Sequence, residues 1–541
     1  MPPSNTAHGL EILMVLLMVA SAVGMVVQWV KLPYSIALVI VGLTIGSCHL
    51  LPPVEMTPEL ILLVFLPALL FEASWNINLS DLTRDWKPIL LLAVPGVIIS
   101  MLVAGLFVHQ FGGLSLPLAL LFGAMTAATD PISVIALFRK LGIDKRLTLL
   151  LEAESLFNDG TAVVLFKLVL AITLGAASTS IAHSLGEFVL VMLGGAVVGV
   201  VIGLIGSQVT RFFEDHLLEI TLTAIVAYGS YLVADQLKVS PVIAVLMAGI
   251  VVGNYGSRVH MSATTRLAVN SFWEYAAFLV NSIVFLLIGL QIDFNLLSRY
   301  SQTIAVGIVG IILARALVVY GLSPLLSRDK SRVPFRWQHL LFWGALRGSL
   351  TMALALSLPH NFVDREELIV LTFGVVLFTL LVPGLTIEPL VRILKVSSQD
   401  HRFDEYERLK ARLYAETQAL NSLVELFRQG AVSRQVYEQM GDEIRYNCRT
   451  LTDQIDDLHL TNAALELMQS RQTRKQLLEV RKDSLLKLIR QHGTEREVVE
   501  PLFIHIDSQI DEIDGAPEFV TESQVREKAA IQEEAEKSRE S

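Results

Sequence analysis

From Leu10 to Leu394 the chain is a succession of apolar runs, and two of those runs carry acids where lipid would be expected. A hydrocarbon core about 30 Å thick needs roughly 20 apolar residues in a helix. On that measure about thirteen spans are expected, from Leu10–Val30 to Glu367–Leu394. The second, third and ninth are short or interrupted by Gly and Pro, which leaves about twelve as an alternative. With 53% hydrophobic and 17% charged residues over 541 positions, the chain is too apolar for an ordinary soluble enzyme. The first run has no Lys or Arg before Lys31 and so lacks the basic flank of a signal peptide.

Charge asymmetry tests the span count independently. With the N-terminus outside, one set of alternate loops holds Lys31, Arg84, Lys87, Arg139, Lys140, Lys145, Arg146, Arg211, Arg258, Arg266, Arg328, Lys330, Arg332 and Arg336. The opposite set holds only Lys238, Arg299 and Arg365. Basic loops face the cytoplasm, so the C-terminal tail is expected there too. About half of all Lys and Arg and more than half of all Asp and Glu follow Leu394, so the net charge of −10 mainly describes that tail and gives no sign of nucleic-acid binding. Cys48 and Cys448 form neither a disulfide framework nor a metal-ligand spacing.

The acids are Asp130 in Thr129-Asp130-Pro131 and Glu154 and Asp159 in Glu154-Ser155-Leu156-Phe157-Asn158-Asp159-Gly160. An ionisable side chain at mid-membrane costs roughly 2.5 to 3.5 kcal/mol on insertion scales and persists where an ion, a partner or a polar path compensates. Six spans, one linking span and six more would make an inverted repeat, with spans five and twelve in corresponding positions. Both are expected to be broken. Pro131 has no N–H and frees the carbonyl of Ala127, while Gly344 and Gly348 flank Arg347. Paired broken helices point to a substrate site at the midplane; two ordinary kinks are the plainer reading.

Helical spacing stacks Ser155 with Asp159 and, about 100° round the axis, Glu154 with Asn158. With Asp130 and Thr129, the first stack offers hard oxygen donors and no sulfur, a set suited to an alkali cation. Na+ at Asp130, Asp159, Ser155 and Thr129 is the expected arrangement, with proton and cation competing for Asp159. Glu154 faces away and is expected to pair with Arg347, with Arg315 in span eleven as the competing partner. Lys167, two turns beyond Asp159, is expected to reach the interface. Glu72, placed near the outer end of the third span, is either a carboxylate reaching the ion through water or an interfacial acid.

At these motifs, together with Phe65-Leu66-Pro67-Ala68-Leu69-Leu70-Phe71-Glu72 and Gly344-Ala345-Leu346-Arg347-Gly348, the chain resembles the monovalent cation:proton antiporters, in the sodium/proton exchanger branch that includes NhaP-type bacterial exchangers. The order and spacing of the motifs carry the likeness across spans three to thirteen. It implies an all-α polytopic membrane protein with inverted repeats and crossed discontinuous helices, a homodimer, and an elevator-like movement of a core domain. It implies Na+, with Li+ beside it, and H+ as substrates, no cofactor, and a multi-pass place in the cell membrane, with roles in pH homeostasis and salt tolerance. Asp159 would carry ion and proton, Asp130, Thr129 and Ser155 would surround the ion, and Glu154 would pair with Arg347. Asn158, counted among the ion-site residues, stands where the electrogenic branch has a second Asp, which implies electroneutral exchange.

Residues 1–398 are therefore expected to form the transmembrane antiporter domain and 399–541 a helical cytoplasmic tail, regulatory in role. In the tail Leu409, Leu413, Leu420, Leu423 and Leu426 recur at helical spacings until Gly430, with further amphipathic stretches at Gln435–Leu460 and Ala463–Arg490. A K+-preferring antiporter stays open, since an all-oxygen site does not disclose its radius. An intramembrane aspartyl protease also needs two carboxylates on neighbouring spans, but T-D-P and N-D-G are not its settings. A channel or receptor would leave the paired breaks unexplained.

Overall fold

Backbone polar groups in lipid can be satisfied only within the segment itself or within a closed barrel, and the described residues are helical almost throughout, with no strand among them. The computed structural model describes residues 5 to 461, apart from positions within 28–31, 49–58, 176–180, 211–214, 258–262, 292–293, 327–332, 360–363 and 397–400, and scattered positions between 470 and 513. Of the basic-loop residues, Lys31, Arg211, Arg258, Arg328, Lys330 and Arg332 lie outside the described set, as does much of the amphipathic stretch Ala463–Arg490. The chain divides into two compact units, Met1–Ser397 and Ser398–Ser541.

The first unit opens with α1 (Asn5–Val27) and α2 (Tyr34–Ser47), then a π-turn at Leu60–Phe65 that runs into α3 (Leu66–Trp75). Short α4 (Leu79–Arg84) leads to α5 (Trp86–Ala93) and α6 (Pro95–Gly112). Then come α7 (Leu116–Ala127), α8 (Ile132–Lys140), α9 (Lys145–Thr173), α10 (Ile181–Val209), α11 (His216–Gln236) and α12 (Pro241–Val251). The remainder is α13 (Ala263–Leu290), α14 (Phe294–Arg299), α15 (Ser301–Leu322), α16 (Phe335–Trp343), α17 (Ser349–Leu356) and α18 (Arg365–Leu394). By length and composition 8 helical segments are able to cross a membrane, and four shorter apolar ones, such as Tyr34–Ser47 and Pro241–Gly256, accompany them. These lengths make the chain an integral membrane protein; the count of about thirteen spans goes beyond them.

Neighbouring helices approach closely where glycines leave room, as expected where lipid supplies no hydrophobic drive. A Cβ at Gly42 on α2 would strike the Leu286 carbonyl of α13, and one at Gly289 would strike the Val39 carbonyl in return. Gly199 of α10 meets the Ala244 carbonyl of α12 in the same way, and Gly123 of α7 meets that of Met101 on α6.

Helix boundaries follow their local chemistry. Asp144 caps α9 by accepting the Arg146 N–H at 2.8 Å, and Ser240 caps α12 by accepting the Ile243 N–H at 3.3 Å. Two interruptions matter most, between α7 and α8 at 128–131 and between α16 and α17 at 344–348, the two places where a break is expected from sequence. Pro131 supplies no N–H to continue α7. The chain turns extended at Ala128 (ψ 138°) before α8 starts at Ile132.

In the second unit α19 (His401–Arg428) and α20 (Arg434–Thr461) form an antiparallel hairpin. Gly430 adopts φ +72°, the left-handed conformation that ends α19, and the Phe427 and Tyr437 rings stack at 4.4 Å across the turn.

Candidate functional site

Each broken helix leaves unpaired carbonyls at one half-end and unpaired N–H groups at the other. The two breaks cross, and each answers the other. The Asp130 N–H donates to the Leu346 carbonyl at 2.8 Å, joining the two interruptions directly. Arg347 carries the positive charge of the crossing. Its Nε donates to the Thr126 carbonyl at the end of α7 at 2.6 Å, its Nη1 donates to the Ala345 carbonyl at 2.5 Å, and its N–H donates to Thr379 Oγ1 on α18 at 3.1 Å. Asp130 carries the negative charge. Its Oδ1 accepts the Ile132 N–H at the start of α8 at 3.2 Å, and the Ser349 N–H at the start of α17 also reaches its carboxylate. An anion thus sits at helix N-termini and a cation at a C-terminus, the arrangement the helix dipoles favour. Gly348 is required here, because a Cβ on it would fall on the Asp130 carboxylate.

Thr129 is clamped from α9. Ser155 Oγ donates to its carbonyl, Asn158 Nδ2 donates to its Oγ1 at 2.7 Å, and its own N–H donates to Asn158 Oδ1 at 3.2 Å. Ser155 and Asn158 are three residues apart and therefore reach the same break from adjacent turns.

Beside the crossing lies a cavity of about 220 Å³. Thr129, Asp130, Ser155, Asp159 and Glu72 all line it, so five of the six residues singled out for ion or proton binding come together. Asn158 does not line it; its amide is held by Thr129. Asp130 Oδ2 and Asp159 Oδ1 are buried and have no hydrogen-bond partner. Two carboxylates that line one cavity, each with a buried oxygen lacking a protein partner, depart from the usual pairing of buried polar atoms. Among the described residues no group of three or more His, Cys, Asp or Glu forms a resident metal centre.

Glu154 is buried on another face of α9, and its partner is Arg315, not Arg347. Arg315 Nη1 contacts Glu154 Oε1, Nη2 donates to Oε2 at 3.0 Å, and Nη2 and Nε donate to the Leu341 carbonyl at 2.7 and 3.3 Å. Arg347 is drawn to the carbonyls of the break instead, so the expected Glu154–Arg347 pair is replaced by Glu154–Arg315. Glu72 also differs from expectation. It shares the cavity with Arg139 and Glu152, which approach each other to 3.7 Å. That places it beside Arg139, on the side of the basic loop that the positive-inside rule assigns to the cytoplasm, whereas a place near the outer end is expected from sequence. The cause is chain direction: α3 runs toward the loop that bears Arg84 and Lys87, and Glu72 is near its C-terminus.

Comparison with known proteins decides the family. The transmembrane sodium/hydrogen exchanger family matches residues 14–393. This chain belongs to that family. The exchanger is 47% identical over 384 residues to the Na+/H+ antiporter ApNhaP of Aphanothece halophytica, covering 71% of this chain and 73% of that one. It is 36% identical to the low-affinity Na+/H+ antiporter NhaS1 of a Synechocystis strain, over 93% of this chain and 97% of the other. Its fold matches the sodium proton antiporter MjNhaP1 of Methanocaldococcus jannaschii with a TM-score of 0.62 at 22% identity, over 73% of this chain and 100% of that one. Membership makes the exchanger a transporter rather than an intramembrane protease.

Arg139, Glu152 and Thr351 also line the exchanger's cavity and were not singled out from sequence. Arg139 and Glu152 belong to α8 and α9 near a basic loop, where charges read as ordinary interfacial residues. Thr351 is a small hydroxyl residue within an apolar half-helix, and only the break before it marks it.

Proposed function

We propose that the chain exchanges Na+ for H+ one for one across a cell membrane, with cation and proton taking turns on Asp159. Asp130, Ser155 and Thr129 complete the surroundings of the ion, and Li+ is accepted beside Na+. The carrying observation is the pair of unpartnered carboxylate oxygens, Asp130 Oδ2 and Asp159 Oδ1, of two residues that line a single cavity. The names of the relatives, sodium/proton antiporters, favour Na+ as the cation.

Electroneutrality follows if Asp159 is the one group whose charge changes partner. Asn158 is an uncharged amide held on Thr129, Glu154 is neutralised by Arg315, and the Asp130 carboxylate accepts the N–H of Ile132 at the start of α8. The thirteen-span topology, with the N-terminus outside and the tail inside, rests on the basic-loop bias. A homodimer with a moving core fits a crossing that is tied together as one unit. Residues 1–398 are the transporting domain in this reading, and 399–541 a cytoplasmic regulatory tail.

Proteoliposomes test it. A sodium gradient is expected to drive proton movement, lithium to substitute, potassium and calcium to fail, and a valinomycin-set potential to leave the rate unchanged. Potassium working as well as sodium would overturn the selectivity. A rate that follows voltage would mean that a second carboxylate titrates, Asp130 first among them.

A further inference from the structure

We infer that the hydroxyl of Thr351 is a ligand of the transported cation, supplied to the site by the second broken helix. The inference rests on the proposed exchange at Asp159 and adds to it a residue from the other half of the chain.

Threonine inside a helix ordinarily returns its hydroxyl to a carbonyl three or four residues back. Five span threonines behave so: Thr126 donates to the carbonyl of Phe122 at 2.8 Å, Thr161 to that of Phe157 at 2.9 Å, Thr372 to that of Leu368 at 2.8 Å, Thr379 to that of Val376 at 3.0 Å and Thr386 to that of Val382 at 2.6 Å. Thr351 does not. Its side chain is buried at 1% exposure and its Oγ1 has no partner. The reason is positional. Its fourth predecessor is Arg347, which belongs to the break rather than to α17, and the Gly348 carbonyl accepts the Met352 N–H. A buried hydroxyl without a partner carries a desolvation cost of about 1 to 3 kcal/mol, so its persistence calls for a ligand.

The cavity supplies the place. Thr351 lines the same cavity as Asp130 and Asp159, and each of the three carries a buried oxygen without a partner. Asp130 comes from the break of the first half, Asp159 from α9, and Thr351 from the first turn of α17. A neutral hydroxyl adds a hard donor without adding charge. It therefore raises affinity for an alkali cation while leaving the proton stoichiometry untouched.

The test compares Thr351→Val, which keeps shape and removes the oxygen, with Thr351→Ser, which keeps the oxygen. Purified full-length protein is heated with and without NaCl, and sodium-driven proton flux is measured in proteoliposomes. Thr351→Val is expected to raise the sodium concentration for half-maximal flux about tenfold and to shrink the sodium-induced rise in Tm, at unchanged sodium-free Tm. Thr351→Ser is expected to stay within about twofold of wild type on both readouts. If Thr351→Val is not recovered folded, Thr351→Ala carries the same expectation. Unchanged half-saturation and an unchanged sodium-induced Tm rise in the valine variant would overturn the inference while leaving exchange at Asp159 intact. Wild-type protein that shows neither a sodium-induced Tm rise nor flux would overturn the underlying reading itself.

Discussion

Glu154 and Asp159 lie five residues apart on one helix, the first buried and the second half-buried, and they live under opposite conditions. Glu154 has a guanidinium across both carboxylate oxygens, and that guanidinium is fixed in turn by the Leu341 carbonyl. Asp159 faces a cavity and leaves an oxygen without a partner. A buried charge that is fully paired belongs to the architecture, because moving it would strand its partner. A buried charge that is unpaired beside a cavity is available to something mobile. On the proposed exchange, the difference separates a strut from a carrier within little more than one helical turn.

The largest effect that could break this comparison is at the carrier. Asp159→Asn is expected to reduce sodium-driven proton flux in proteoliposomes to that of empty liposomes, while the protein inserts normally and keeps its sodium-free Tm. Near-normal flux in that variant would remove Asp159 from the exchange. At the strut the expectation is reversed. Arg315→Leu should cost on the order of 3 to 5 kcal/mol of stability by leaving Glu154 charged and alone, and adding Glu154→Gln should recover part of it. The same cycle with Arg347 should be close to additive, since that guanidinium is held by Thr126 and Ala345 instead. Strong coupling to Arg347 and none to Arg315 would reverse the assignment.

The sequence discloses the breaks because their causes are local: a proline after an acid, and two glycines about an arginine. It discloses the stacking of Ser155 with Asp159 because helix periodicity is local as well. Which arginine reaches Glu154 is not local. Arg315 and Arg347 sit on α15 and in the α16–α17 break, and periodicity assigns faces of one helix without assigning neighbours. What separates them is the demand of the α7 terminus, whose Thr126 carbonyl takes Arg347. Glu72 shows the same limit: its contacts with the cavity depend on which end of α3 meets α8 and α9. Thr351 stays silent in sequence because a hydroxyl in an apolar half-helix reads as a back-bonded core residue until the missing carbonyl is seen.

The claim that cation and proton share one carboxylate is tested most directly by measuring the sodium dependence of exchange at a series of pH values. Competition for Asp159 predicts that the sodium concentration for half-maximal rate rises as pH falls, toward about tenfold per pH unit in the acid limit, while the maximal rate at saturating sodium stays constant. A maximal rate that falls with pH at constant half-saturation would mean that protons act at a separate group, and would contradict the account.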